Sequence, residues 1–147
     1  MKLFFFSGVL LSMTLFSSCK KKEEVSLPPA QLLAAKSWKL TDTGFMASGM
    51  PSSYFSHIDD CSKDDLEIYK SDGNQLTDEG VTKCSSTDPQ QTNNGMWTLS
   101  ADGKIITLKK GTTITTYTIT ELTGTTFKYT SGDKSTGLVA YYDMVAQ

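Results

Sequence analysis

Arginine is absent from the 147-residue sequence, and histidine occurs only once, at His57. Arginine binds phosphate and guanine best through paired hydrogen bonds, so a chain without it, and with a formal net charge of −2, is unsuited to nucleic acid. One histidine cannot build a histidine metal triad, and no serine or cysteine nucleophile is spaced to work with it. The acidic residues nearby lack the spacing of a calcium-binding loop. We therefore predict no enzyme activity, no metal and no cofactor.

Long apolar runs are also scarce, and the one from Leu3 to Phe16 is shorter than the ~20 residues that a membrane-spanning helix needs. It follows Lys2 and precedes Ser17-Ser18-Cys19, which is the order of charge, apolar run and small residues in a signal peptide. Small residues before a cysteine resemble the lipobox of bacterial lipoproteins, which implies acylation of Cys19. We expect a signal peptide at 1–18 and a lipid anchor at Cys19. The alternative is an ordinary secretory peptide with an incidental cysteine.

Residues 19–30 have the composition of a tether, because they combine the charge run Lys20–Glu24 with the extended pair Pro28-Pro29. The charge run resembles the surface-export tag of some Gram-negative lipoproteins, and it is equally consistent with a solvated linker. Residues 31–147 are long enough for one domain with a sizeable core. We expect the protein in the cell envelope, anchored to the outer membrane on its periplasmic or surface side.

Two cysteines, Cys61 and Cys84, remain once Cys19 is acylated. In an oxidising compartment such a pair favours a disulfide. If Asp72-Gly73 is a two-residue hairpin turn, Ser71 faces Asn74, and the same register extended outward places Cys61 opposite Cys84. The alternative is a pair of free or metal-binding thiols.

The remaining residues predict an all-β domain, because Thr, Ile, Tyr and Val alternate with turn dipeptides that contain Gly, Asp or Asn. A short helix is predicted over Ala30–Lys36. Eight strands follow, at Ser37–Thr43, Asp65–Ser71, Asn74–Gly80, Met96–Ser100, Lys104–Lys110, Thr113–Leu122, Thr125–Ser131 and Gly137–Val145. Apolar residues that alternate along these strands predict the barrel core, with the pairs Trp38/Leu40, Leu66/Ile68, Trp97/Leu99 and Phe127/Tyr129.

Connection lengths predict how these strands are arranged. The two long loops, Gly44–Asp64 and Val81–Gly95, fall at one end of an up-and-down order, and three tight hairpins fall at the other. One pinched end and one loop-covered end are typical of an eight-stranded up-and-down antiparallel barrel with a mouth. Long loops in a compact domain are often functional.

Four segments carry a resemblance to a known family. They are Asp59–Asp65, Asp72-Gly73, Cys84–Pro89 and Gly95–Ser100, and they follow a short helix that runs into Trp38 on the first strand. Together with the strand pattern, they resemble the lipocalin-like domains of Gram-negative bacterial lipoproteins over residues 32–146. The sequence lacks the glycine of the broad lipocalin Gly-x-Trp signature, so the resemblance is to that subgroup and not to the well-studied secreted carriers. The resemblance implies a barrel that can hold a small apolar ligand.

Three functions are consistent with this interpretation. The first is a monomeric, membrane-anchored protein that binds a small hydrophobic ligand at the mouth, under an apolar lid formed by Phe45, Met46, Met50, Tyr54, Phe55 and Ile58. The second is a cell-surface module that binds glycan or protein through exposed aromatics such as Tyr54, Tyr141 or Tyr142. The third is a structural envelope protein whose barrel is filled by side chains.

Overall fold

The computed structural model describes residues 27–132 and 137–147. The predicted signal peptide, Cys19 and most of the tether lie outside these residues, as does part of the Gly132-Asp133 turn. One helix, α1 (Pro29–Ala34), precedes nine strands. These are β1 Ser37–Ala47, β2 Met50–Ser53, β3 Leu66–Tyr69, β4 Asn74–Asp78, β5 Gln91–Leu99, β6 Ile105–Lys110, β7 Thr113–Leu122, β8 Thr126–Ser131 and β9 Leu138–Ala146.

The strands form one antiparallel sheet in the order β2-β1-β3-β4-β5-β6-β7-β8-β9, and β1 also pairs with β9. All the strands except β2 therefore close into an eight-stranded up-and-down barrel, which confirms the predicted fold class. The final strand closes this barrel between β8 and β1, and its outward residues Val139 and Tyr141 line a groove shared with residues 46–51, so both of its faces are partly covered. Two 3₁₀ turns, Phe55–His57 and Asp60–Ser62, connect β2 to β3.

The prediction of a loop over Gly44–Asp64 is wrong for residues 44–53, which form a β-hairpin. β1 continues to Ala47 and returns as β2 through Ser48-Gly49, whose φ angles of 52° and 81° suit a two-residue hairpin turn. A side chain at Gly44 would collide with the carbonyl oxygen of Ser52, so β2 crosses closely over β1. The structure thus replaces half of a predicted loop with a hairpin that extends beyond the barrel.

Two other boundaries differ for local reasons. β5 begins at Gln91 instead of Met96, because a bulge around Gly95 (φ 123°) shifts the register and interrupts the alternation. The helix ends at Ala34, two residues before the predicted Lys36. The other strand ends differ from prediction by one or two residues.

The core fills the end of the barrel that α1 covers, which we call the sealed end. Leu33 of α1 is fully buried there beside Trp38, Ile106 and Phe127. Trp38 donates its indole N–H to the carbonyl oxygen of Leu33 at 3.0 Å, and its ring lies 5.4 Å from that of Phe127. This end therefore combines apolar burial with a satisfied indole group.

Candidate functional site

The opposite end of the barrel, which we call the mouth half, contains interior space. Two cavities of about 270 and 180 Å³ lie there, and Glu67 and Thr77 line both of them. The first is also lined by Tyr69, Gln75, Asn94, Leu108 and Tyr117, and the second by Leu40, Asp65, Leu66, Tyr142 and Met144. The barrel is thus filled at one end and open inside at the other.

Glu67 is the carboxylate at the centre of this region. It lies on β3, opposite Trp38 on one side and Thr77 on the other. Its two carboxylate oxygens accept the hydroxyl protons of Tyr69 at 2.9 Å and Tyr129 at 2.8 Å. Burial raises the pKa of Glu67, although both tyrosine hydrogen bonds oppose that rise. Burial of a carboxyl group costs free energy, and buried carboxyl groups with a shifted pKa cluster at functional sites. Glu67 is therefore a candidate functional residue.

Tyrosine rings form the wall beside Glu67. The Tyr129 ring lies 4.7 Å from Tyr142, nearly parallel to it, and 5.0 Å from Tyr117. Burial raises the pKa of Tyr117 and Tyr142, and the nearby Glu67 charge adds to the rise. The hydroxyls of Tyr117 and Tyr142 therefore stay protonated near neutral pH. Tyr117 lines the first cavity and Tyr142 lines the second.

Two buried acceptors at the cavities have no hydrogen-bond partner among the described residues. Gln75 is only 5% exposed, and its side-chain oxygen is unpaired while its amide nitrogen bonds to the carbonyl of Leu76. One carboxylate oxygen of Asp65 is also buried and unpaired. Burial, and then the charges of Glu79, Asp64 and Asp78, raise the pKa of Asp65 to about 6.

The rim of the mouth is held by the disulfide between Cys61 and Cys84, whose Cα atoms lie 5.1 Å apart. This confirms the predicted pair, although the register used to predict it is wrong by one residue. Lys70, not Ser71, pairs with Asn74, because the turn has three residues and ends at Gly73 (φ 90°). The strand ladder ends at the Leu66–Asp78 pair, and the cysteines meet beyond it.

The six predicted lid residues do not come together over the interior cavities. Phe45 and Met46 are on the β1 extension, and Met50 is on β2 with 73% of its surface exposed. Tyr54 stacks on His57 at 5.0 Å, and Phe55 lies 5.7 Å from the Lys63 ammonium. Ile58 is half-buried. None of the six lines the two interior cavities.

The predicted core residues lie along the barrel interior. Trp38 and Trp97 are buried members of the core, and Leu40 and Leu99 pack against it. The predicted pair Leu66/Ile68 is not part of the core. The core residue of β3 is Tyr69, and Glu67 lies on the same face of the strand as Tyr69. Sequence reasoning missed Glu67 for this reason. The available signal was the acidic residue two positions before an aromatic one within a strand.

A larger groove of about 870 Å³ lies on the outer face of the barrel, between the β1–β2 hairpin and the outward side chains of β8 and β9. Met46 is the one predicted lid residue that lines it. Asp42 and Tyr141 meet there through a 3.1 Å hydrogen bond, and Lys128 lies 3.5 Å from Asp143. This groove is a surface feature and is separate from the barrel interior.

Residues 27–132 and 137–147 contain neither a cluster of metal-ligating side chains nor an apolar helix of membrane-spanning length. No group of three or more His, Cys, Asp or Glu side chains in that part of the chain is arranged to hold a metal ion. No helix there is long and apolar enough to cross a membrane.

Comparison with known proteins agrees with this architecture. The family model of the lipocalin-like domain matches residues 35–129, which run from the end of α1 to the core residue Tyr129. No curated protein matches the chain. The match covers more than half of the sequence, and the closed eight-stranded barrel is the fold that the resemblance implied. The chain therefore belongs to the lipocalin-like domain family.

Proposed function

We propose that this protein is a lipid-anchored lipoprotein of the Gram-negative outer membrane that binds a small, partly apolar molecule inside the mouth half of its barrel. The interior space beside Glu67 is the single observation that carries the proposal. Ligand sites are concave, mostly apolar and supplied with a few polar groups that fix orientation, and this region combines tyrosine and leucine walls with buried acceptors.

Filling the cavity tests this function. Thr77 lines both cavities, so Thr77→Met should occupy the space that a ligand needs. The matched control is Thr116→Met, which adds the same atoms on the exposed face of β7. We expect native mass spectrometry to detect a small bound mass in the wild-type protein and in the control, and to lose it in Thr77→Met. A wild-type protein that carries no small mass and takes up none from a cell extract would overturn the proposal.

The anchor is proposed from Ser17-Ser18-Cys19, which resembles a lipobox. Two or three acyl chains would hold the protein stably on a membrane, because each buried CH₂ contributes ~0.8 kcal/mol. Cys19→Ser should move the protein from the membrane fraction to the soluble fraction, or leave the precursor uncut. A variant that stays membrane-bound and is correctly cut after Ser18 would contradict the anchor.

A surface-binding module for glycan or protein is the second candidate function. The outer groove favours it, because Tyr141 there lies among the carboxylates of Asp42 and Asp143. Tyr141→Ala should then abolish binding on a glycan array and leave the interior ligand in place. Retention of array binding by that variant would remove this candidate.

A further inference from the structure

The polar groups that face the interior cavities without a partner are acceptors. Gln75 contributes an unpaired side-chain oxygen although it is 95% buried, and Asp65 contributes an unpaired carboxylate oxygen. Each oxygen of Glu67 accepts one tyrosine proton and keeps a further lone pair. A buried acceptor without a donor is destabilising, so a ligand that donates hydrogen bonds to these oxygens offsets that cost.

The charges at the cavities have one sign. Two carboxylates, Glu67 and Asp65, line them, and none of the described lysines does. Lys110 lines a separate recess that shares Asn94 and Leu108 with the first cavity. The remaining titratable groups that face Glu67 are the hydroxyls of Tyr69, Tyr117, Tyr129 and Tyr142. A fatty acid would therefore place its carboxylate beside like charges with no cation to pair it.

The walls suit an aromatic or alicyclic cation. Tyr117 lines the first cavity and Tyr142 the second, on either side of the buried Tyr129 ring, and tyrosine rings attract cations where water is excluded. The two cavities are each smaller than the ~300 Å³ at which typical ligand pockets begin, which limits the ligand to about one ring.

We propose that the ligand is a small single-ring amine, whose ammonium group pairs with Glu67 and donates to Gln75 while its ring lies against the tyrosine wall. This inference rests on the proposed function, since it names the ligand class of the same cavity. It also assigns Glu67 as the residue that selects amines over acids. Burial raises the pKa of Glu67, and a bound cation would oppose that rise because it favours the ionised form.

Three probes of similar size test the proposal by titration calorimetry on the full-length protein in detergent. They are 2-phenylethylamine, 2-phenylethanol and 3-phenylpropionate, which differ mainly in the charge of the polar group. We expect the amine to bind at least tenfold more tightly than the alcohol, and the acid not to bind. Glu67→Gln should reduce the amine to the affinity of the alcohol. Glu121→Gln, which removes an exposed carboxylate on β7, should change none of the three affinities.

The outcomes separate this inference from the function on which it rests. Equal binding of amine and alcohol to the wild-type protein, or tightest binding of the acid, would overturn the amine assignment. If native mass spectrometry still detects a mass that Thr77→Met loses, the proposed binding function would stand. Absence of all binding and of any bound mass would overturn both. If Glu67→Gln does not fold, as judged by circular dichroism, the comparison of the three probes on the wild-type protein decides the question.

Discussion

The sealed half and the mouth half of the barrel share strands and differ in chemistry. At the sealed end, Leu33, Trp38 and Phe127 are fully buried. In the mouth half, β3 and β4 place Glu67 and Gln75 inside. Close-packed apolar side chains stabilise a fold, whereas unpaired acceptors reduce its stability. The difference indicates that the sealed half carries the stability of the domain and that the mouth half is free to serve binding.

The mouth half is nevertheless constrained. The disulfide joins residues 23 positions apart, and such a bond contributes about 3 kcal/mol in the chain-entropy model. Asp64 adds a second link, because one of its oxygens accepts the backbone N–H groups of Val81 at 2.8 Å and Thr82 at 2.9 Å. Covalent and polar links thus hold the rim where apolar packing is weak.

Truncation at the sealed end should have the largest effect. Phe127→Ala removes a fully buried ring that contacts Trp38 and Tyr69, and we expect a loss of about 3–5 kcal/mol in the free energy of unfolding. Leu108→Ala is the comparison in the mouth half, where the side chain is half-buried and borders existing space. We expect a loss of about 1–2 kcal/mol there. Urea unfolding measures both, and equal losses would contradict the division between the halves.

A smaller effect of opposite sign should separate Asp64 from Asp65. The backbone N–H of Thr82 lowers the pKa of Asp64, so its stabilisation is present at neutral pH and is lost as the pH falls. Burial raises the pKa of Asp65 to about 6, so the folded state is favoured below pH 4 and loses stability as the pH rises through 6. Asp64→Asn should lower the urea midpoint at pH 7, and Asp65→Asn should raise it.

Both differences should shrink towards pH 3, because Asp65 takes up its proton as the pH falls below about 6 and the stabilisation from Asp64 is lost as the pH falls. Urea titrations at pH 3, 5 and 7 give the comparison, with the wild-type protein at each pH as the reference. If the urea midpoints of both variants moved in the same direction at pH 7, the two neighbouring carboxyl groups would not have pKa values shifted in opposite directions.

The strand pattern and the connection lengths predict the barrel, and the cysteine count predicts the disulfide, although the register taken from the Asp72-Gly73 turn is one residue off. The β1–β2 hairpin was missed because its turn begins with Ser48, a residue that rarely takes a positive φ. The cavity was missed for a different reason. Leu66 and Ile68 suggest the inward face of β3, but closure of the barrel places Glu67 and Tyr69 inside. Which face of a short strand is buried depends on its neighbours, and a single strand does not encode that choice.

The β1–β2 hairpin also leaves an open sheet edge that the closed barrel does not have. Such edges invite strand addition from other copies of the protein. Pro51 pairs with Met46, next to the two-residue turn, so its backbone nitrogen faces away from β1. Proline has no N–H at that position, so the edge lacks a donor that an incoming strand would need. The hairpin thus carries its own protection against aggregation.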